Sequence, residues 1–323
     1  MQLQNSKSRN IKFFVAVSCL SSLLVACGGG GDSDGGNNSS VPTTPISITT
    51  QNAPAVASHA IDASFVADSA DIFVGVQTTS NDADKKTIID VSRMIADIYL
   101  QRVAEPQIIA GVIQECPNGG TKDYPSNGVG TTTFNNCNIE GLILNGNATI
   151  SVNSIPTETS FSGSMSFNNF SMTESGETIT INGAMNLSWT EENLVETGNM
   201  NGSTLSVRST YGSTDLKNFN FDYTSDYNSS LETENFEYTV NSTYLNGSVH
   251  VKSTQTIRQY DYQDYPFEGQ VVITGANSSK ARLTAQGGGN ANDFVLIETD
   301  VDGDGTYEGS NTMTWAELED ADL

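Results

Sequence analysis

The feature that most constrains this chain is a two-residue alternation of apolar and polar side chains, running from about Thr131 almost to the C-terminus. Inside it recurs a short motif of an apolar residue, a polar residue and a glycine. The copies are Leu144-Asn145-Gly146, Phe161-Ser162-Gly163, Ile181-Asn182-Gly183, Met200-Asn201-Gly202, Leu245-Asn246-Gly247 and Phe267-Glu268-Gly269. Successive glycines lie 17, 20, 19, 45 and 22 residues apart. One strand plus one turn fits an interval of about 20 residues. The long interval leaves room for strands around Phe219-Asn220-Phe221 and Phe236-Glu237-Tyr238.

Asn-Gly between two strands ordinarily marks a two-residue hairpin turn. Such a turn shifts the apolar parity by one, and here the parity holds. Leu142, Leu144, Gly146, Ala148, Ile150 and Val152 stay in phase, as do Ile179, Ile181, Gly183, Met185, Leu187 and Trp189. The same is true around Gly163, Gly247 and Gly269. These five glycines therefore read as interior to long strands, on the apolar face, where glycine permits a bend or a close approach. At Gly202 the phase breaks, because Leu205 and Val207 lie on the other parity; a turn or a bulge is expected there. The second parity carries Asn, Thr, Ser and Glu, as a sheet wetted on one face requires. The pattern predicts a mainly β fold: a curved antiparallel meander of roughly ten to twelve strands, as a half-barrel or a barrel, with a short N-terminal helical segment.

Upstream the period changes. Residues 82–104 place Ile88, Val91, Ile95, Ile98 and Arg102 on one helical stripe, flanked by Met94, Tyr99 and Val103, and Glu105-Pro106 ends it. A looser helical spacing joins Ile61, Phe65, Ile72, Phe73 and Val76. Both stripes are expected to pack on the apolar face of the sheet.

The N-terminus has a different character. Lys7, Arg9 and Lys12 precede an apolar run over residues 13–26. That run has the length of a signal-peptide core and is too short to span a bilayer. It ends in Leu24-Val25-Ala26-Cys27, which resembles the lipobox of bacterial lipoprotein precursors. The resemblance implies cleavage before Cys27 and diacylglycerol on its thiol, with Leu24 and Ala26 as recognition positions. It also implies retention at the outer membrane, facing the periplasm or the surface, because Gly28 rather than Asp follows the cysteine. An ordinary secretory signal is the alternative. Residues 28–50 are rich in Gly, Ser, Asn, Thr and Pro and read as a flexible tether. The organisation expected is a signal peptide over 1–26, lipidated cysteine and tether over 27–50, a helical segment over 51–106 and a β domain over 107–323.

Charge narrows the partners. Fourteen basic against 38 acidic residues give a net charge near −24, which argues against nucleic acid and suits solubility or cation binding. Cys19 leaves with the signal and Cys27 carries the lipid, so Cys116 and Cys137 are expected to pair in an oxidising envelope.

The strongest chemical motif is Asp300-Val301-Asp302-Gly303-Asp304-Gly305-Thr306-Tyr307-Glu308. Carboxylates at alternate positions resemble the first half of an EF-hand calcium loop. Asp300, Asp302 and Asp304 would offer side-chain oxygens, Thr306 a backbone carbonyl, and Glu308 a water-bridged carboxylate. Asn311 stands where an EF-hand has its bidentate Glu, and the sequence before the loop is of β type, so the likeness is to calcium loops set in β-hairpins. A polar Asp-Gly turn that binds nothing is the plain alternative. His250, in Val249-His250-Val251, reads as solvated on the polar face; His59 is the other histidine. Glu191-Glu192 read as solvated in a turn. No Ser-His-Asp or Cys-His spacing and no phosphate loop is discernible. Tyr260-Asp261-Tyr262-Gln263-Asp264-Tyr265 reads as a cap on a sheet edge or as a sugar-stacking or partner-binding loop.

The block from Cys116-Pro117-Asn118-Gly119-Gly120 through Phe134-Asn135-Asn136-Cys137 to Leu144-Asn145-Gly146 resembles β-rich lipoproteins of Gram-negative bacteria. Many of these end in an Asp-Gly-Asp-Gly segment, and the resemblance implies no activity. The function expected is that of a non-enzymatic envelope module, held to the membrane by lipid and facing a protein or glycan partner. A carrier of a lipid or other apolar ligand in a curled sheet is the main alternative. A glycan-directed hydrolase is the lesser one.

Overall fold

The computed structural model describes residues 40–65, 113–123, 130–139, 141–153, 157, 159–174, 176–209, 212–263 and 265–321. The sequence-predicted helix over 82–104 lies outside them, as do Cys27 and the signal region. The period-two segments form one antiparallel sheet in which each strand pairs with its neighbours in sequence. In order the strands are β1 (Ile113–Glu115), β2 (Thr121–Asp123), β3 (Gly130–Ile139), β4 (Leu142–Val152), β5 (Ser160–Glu174), β6 (Glu177–Glu192) and β7 (Val195–Ser209). They continue as β8 (Ser213–Asp226), β9 (Leu231–Ser242), β10 (Gly247–Tyr260), β11 (Glu268–Thr274), β12 (Lys280–Gln286), β13 (Phe294–Asp300) and β14 (Gly309–Thr314). The meander is open, with β1 and β14 at its margins. Among the described residues there are fourteen strands rather than ten to twelve. The surplus comes from strands of three to seven residues at the two ends, too short for a period of two to stand out.

The glycine motif explains how long strands share one sheet. At Phe167 to Phe170, β5 runs three residues against two on β6, so it carries a bulge at Asn168-Asn169. β3 bulges between Phe134 and Cys137, β7 near Gly202, and β8 between Lys217 and Asn220. Each bulge moves burial to the other parity: Phe167 and Phe170 are both buried, as are Leu216 and Phe219. The intervening strands β4 and β6 stay straight, and their Asn-Gly pairs fit against the bulges. The Asn145 side chain accepts from the Asn136 N–H at 2.8 Å, and Asn182 does the same for Asn169 at 2.8 Å. Gly146 and Gly183 leave space on the other side. A Cβ on Gly146 would lie 2.1 Å from the Asn169 carbonyl oxygen, and one on Gly183 2.4 Å from that of Thr204. Both have positive φ, 91° and 127°, which disfavours any side chain. A line of bulges thus crosses the sheet where the repeats align, and bulges of this kind bend and twist strands.

The phase break at Gly202 is a bulge inside β7 and not a turn. At Asn246 the expectation is corrected: this residue has φ 49° and closes the turn before β10, so Gly247 opens a strand instead of lying inside one.

Helix α1 (Ala53–Phe65) begins eight residues before the apolar stripe that starts at Ile61. Ala53, Ala55, Val56, Ala57, Ala60 and Ile61 are all buried, and the Tyr238 hydroxyl donates to the Ala60 carbonyl at 3.0 Å. Alanines favour helix and leave a thin face that lies close to the sheet. They give no large-residue stripe, so the periodicity missed this stretch. A second helix, α2 (Trp315–Glu319), follows β14. It is started by a capping box between Thr314 and Glu317, and Trp315 stacks on Tyr265 at 5.6 Å. Both helices join the apolar side of the strands in one continuous buried cluster.

Cys116 and Cys137 form a disulfide, with Cα atoms 5.4 Å apart and a sequence separation of 21. It ties the turn after β1 to β3, where Asn118 N–H donates to the Asn138 carbonyl and Asn138 N–H to that of Gly119.

Candidate metal site

Strand β13 ends at Asp300, whose side chain has no solvent exposure. The chain then loops over residues 301–308 and returns as β14. The Asp300 carboxylate anchors the loop, accepting from Gly303 N–H at 2.7 Å and Gly305 N–H at 3.0 Å. Asp302 accepts from Asp304 N–H at 3.2 Å, Asp304 from Thr306 N–H at 2.7 Å, and Glu308 from Val301 N–H at 3.3 Å. Alternate carboxylates are turned inward by successive backbone donors. As a result Asp300, Asp302, Asp304 and Glu308 each bring an oxygen within 4.8 Å of the others. Such an oxygen set matches the hard, oxygen-only coordination of calcium or magnesium. The expected ligands converge, Glu308 through its own carboxylate, while Thr306 contributes its N–H to the loop's internal bonds. Asn311 is paired with Ile297 in β14 and stands clear of the loop.

One cation already touches the site. The Lys280 ammonium of β12 lies 3.2 Å from Asp300. Burial works against ionisation of Asp300, but the Lys280 contact and the Gly305 and Gly303 N–H groups prevail and hold its carboxyl below the usual range. Asp300 is thus a charged acceptor ready for a second cation. Next to it Arg282 pairs with Glu298 at 2.7 Å and lies 3.9 Å over the Tyr307 ring. Thr50, ahead of α1, shares a hydrogen bond of 3.1 Å with Thr299, so the root of the loop also meets the start of the domain.

The other singled-out residues fall elsewhere. His250 is on the polar face but is not merely solvated: it sits 3.3 Å from Glu237, which also binds Lys252 at 2.8 Å. The Lys252 hydrogen bond is the main reason the Glu237 carboxyl titrates below its usual range. His59 stacks on Tyr244. Glu191 and Glu192 end β6 beside the turn at Asn193-Leu194. Amides form a ladder across the polar face that no spacing announced, from Asn186 to Asn201 to Asn199 to Asn220, ending on the Asp222 carboxylate. Beside it an open groove of about 500 Å³ runs along the crease, lined by Ser164, Asn186, Asn201, Ser203, Asn218 and Phe219 among others. No family model, no curated protein and no solved structure matches this chain.

Proposed function

We propose that the protein is a lipid-anchored module of the bacterial outer membrane, non-enzymatic, whose C-terminal hairpin is stiffened by calcium. The observation that carries the metal reading is the convergence of four carboxylates on one hairpin, one of them buried and held ionised. Calcium there would draw the β13–β14 loop together and offset the repulsion among Asp302, Asp304 and Glu308. The root of the same loop touches the segment ahead of α1 through Thr299 and Thr50, so the ion would brace that end of the sheet.

The carrier reading has less in its favour. Among the described residues the apolar side is one packed cluster, and the groove beside the amide ladder is lined by Ser164, Asn186, Asn201, Ser203 and Asn218 as well as by Ala184, Met185 and Phe219.

Two measurements test the proposal. Added calcium should raise the melting temperature, since a ligand at a hundredfold excess over Kd adds about 2.7 kcal/mol, or roughly 5–10 °C for a domain of this size. Asp302→Ala should lose that rise while leaving the calcium-free protein no less stable, because it removes a repelling charge. A melting curve insensitive to calcium and chelator reduces the loop to a polar turn. For the anchor, Cys27→Ser should move the protein from the membrane fraction to the soluble one and abolish lipid labelling. Unchanged retention would refute the lipid.

A further inference from the structure

At the end of the sheet away from the acidic hairpin, three successive hairpin connections are bonded to one another. Tyr227 N–H donates to the Leu194 carbonyl at 2.9 Å, Asn228 Nδ2 to that of Asn193 at 3.0 Å, and Asp261 N–H to that of Ser230 at 3.0 Å. The loop after β12 joins them, since Tyr265 N–H donates to the Gly289 carbonyl at 3.3 Å. This linked rim exposes one large apolar side chain per connection: Leu194, Tyr227, Tyr262 and, at the start of β13, Phe294. Tyr262 is 72% exposed and is not a loose side chain. Its ring stacks on Tyr260 at 5.2 Å and 10°, and Tyr260 stacks in turn on Phe267 at 4.9 Å and 19°. Two rings beneath it hold a third flat, with its outer face open to solvent.

We infer that this aromatic rim, centred on Tyr262, is a binding site for a neutral polysaccharide chain of equatorially substituted pyranose units. It gives the non-enzymatic envelope module proposed above a ligand class and rests on that reading. The face of such a sugar presents C–H bonds of slight positive charge, complementary to the negative face of an aromatic ring. A pre-stacked tyrosine presents that face with little ordering cost. Connections two strands apart are about 10 Å from one another, longer than one sugar ring, so the rim is spaced for a chain. The groups between the apolar side chains are hydrogen-bonding ones: Asp226, Asn228, Ser229, Asp261, Asn290 and Asp293. Their carboxylates suit hydroxyl donors and repel polyanions, which sets aside acidic polysaccharides and nucleic acids. Apolar side chains separated in this way do not make the contiguous patch that a protein partner or an acyl surface requires. Residues Val41 to Ile48 lie at the opposite end, where Ile46 bonds Ser248 and Ala276.

The test is calorimetric titration of the full-length chain in detergent with chitohexaose and with cellohexaose, using polygalacturonate as the anionic comparison. Binding to at least one neutral hexamer is expected, weakened tenfold or more in Tyr262→Ala and retained in Tyr262→Phe, which keeps the ring. Tyr262→Ala should melt with the wild type, as the side chain lies outside the core. No binding to either hexamer, equal affinity in Tyr262→Ala, or polygalacturonate bound as tightly would each overturn the inference. The calcium-dependent melting and the Cys27→Ser fractionation would be unaffected, so the two failures are distinguishable.

Discussion

Gly146→Val is expected to lower the melting temperature by roughly 10 °C, a large effect for one small side chain on a partly exposed strand. Two costs combine. The residue has φ 91°, which a β-branched side chain tolerates poorly, and a Cβ there would sit 2.1 Å from the Asn169 oxygen and 2.9 Å from the Phe170 Cα. Backbone strain of about 1–3 kcal/mol adds to overpacking of similar size, and the neighbour is backbone that cannot swing aside. Gly141 separates the two. It has φ 95°, but a Cβ added there would meet nothing within 4 Å, so Gly141→Val should show the strain without the clash and lose less than half as much. Thermal melts of the two variants decide it. Equal losses would mean that the fit between glycine and bulge contributes nothing, and the crease would then need another explanation.

The second large effect concerns the disulfide. A Cys116→Ala/Cys137→Ala double variant, or reduction of the wild type, should cost about 3 kcal/mol in urea unfolding by the loop-entropy argument for a separation of 21 residues. The loss should be local first. β1 and β2 are three-residue strands at the sheet margin, and the bonds joining Asn118 and Gly119 to Asn138 depend on the turn being held against β3. Hydrogen exchange should therefore lose protection over residues 113–123 well before β5 to β8. An unchanged midpoint after complete reduction would show that the margin is held by other contacts.

The acidic hairpin was legible because its information is local. Each carboxylate accepts from an N–H two or three residues ahead, or across the loop, so spacing in sequence becomes convergence in space. What spacing alone does not contain is Lys280, twenty positions earlier, which reaches Asp300 only because β12 pairs with β13. The sugar-stacking option for Tyr260 to Tyr265 likewise gained its geometry from a residue outside the motif, Phe267, and from turns that meet only across the sheet. The capping box of Thr314 and Glu317 has a local signature, a threonine three residues before a glutamate, yet the β pattern around it hid the helix it starts. The alanines of α1 carried propensity without periodicity.

The sequence by itself determined the class of fold, its antiparallel meander and the face each strand buries up to its bulge, since a period of two admits one division into wet and dry sides. It also placed the break at Gly202, because a bulge reverses that parity wherever it occurs. Only the tertiary structure decided why the other glycines are there. Gly146 and Gly183 are fixed by the bulged backbones of β5 and β7 beside them, at positions 23 and 21 residues away. An exclusion between two backbones leaves no mark on the pattern of either strand alone.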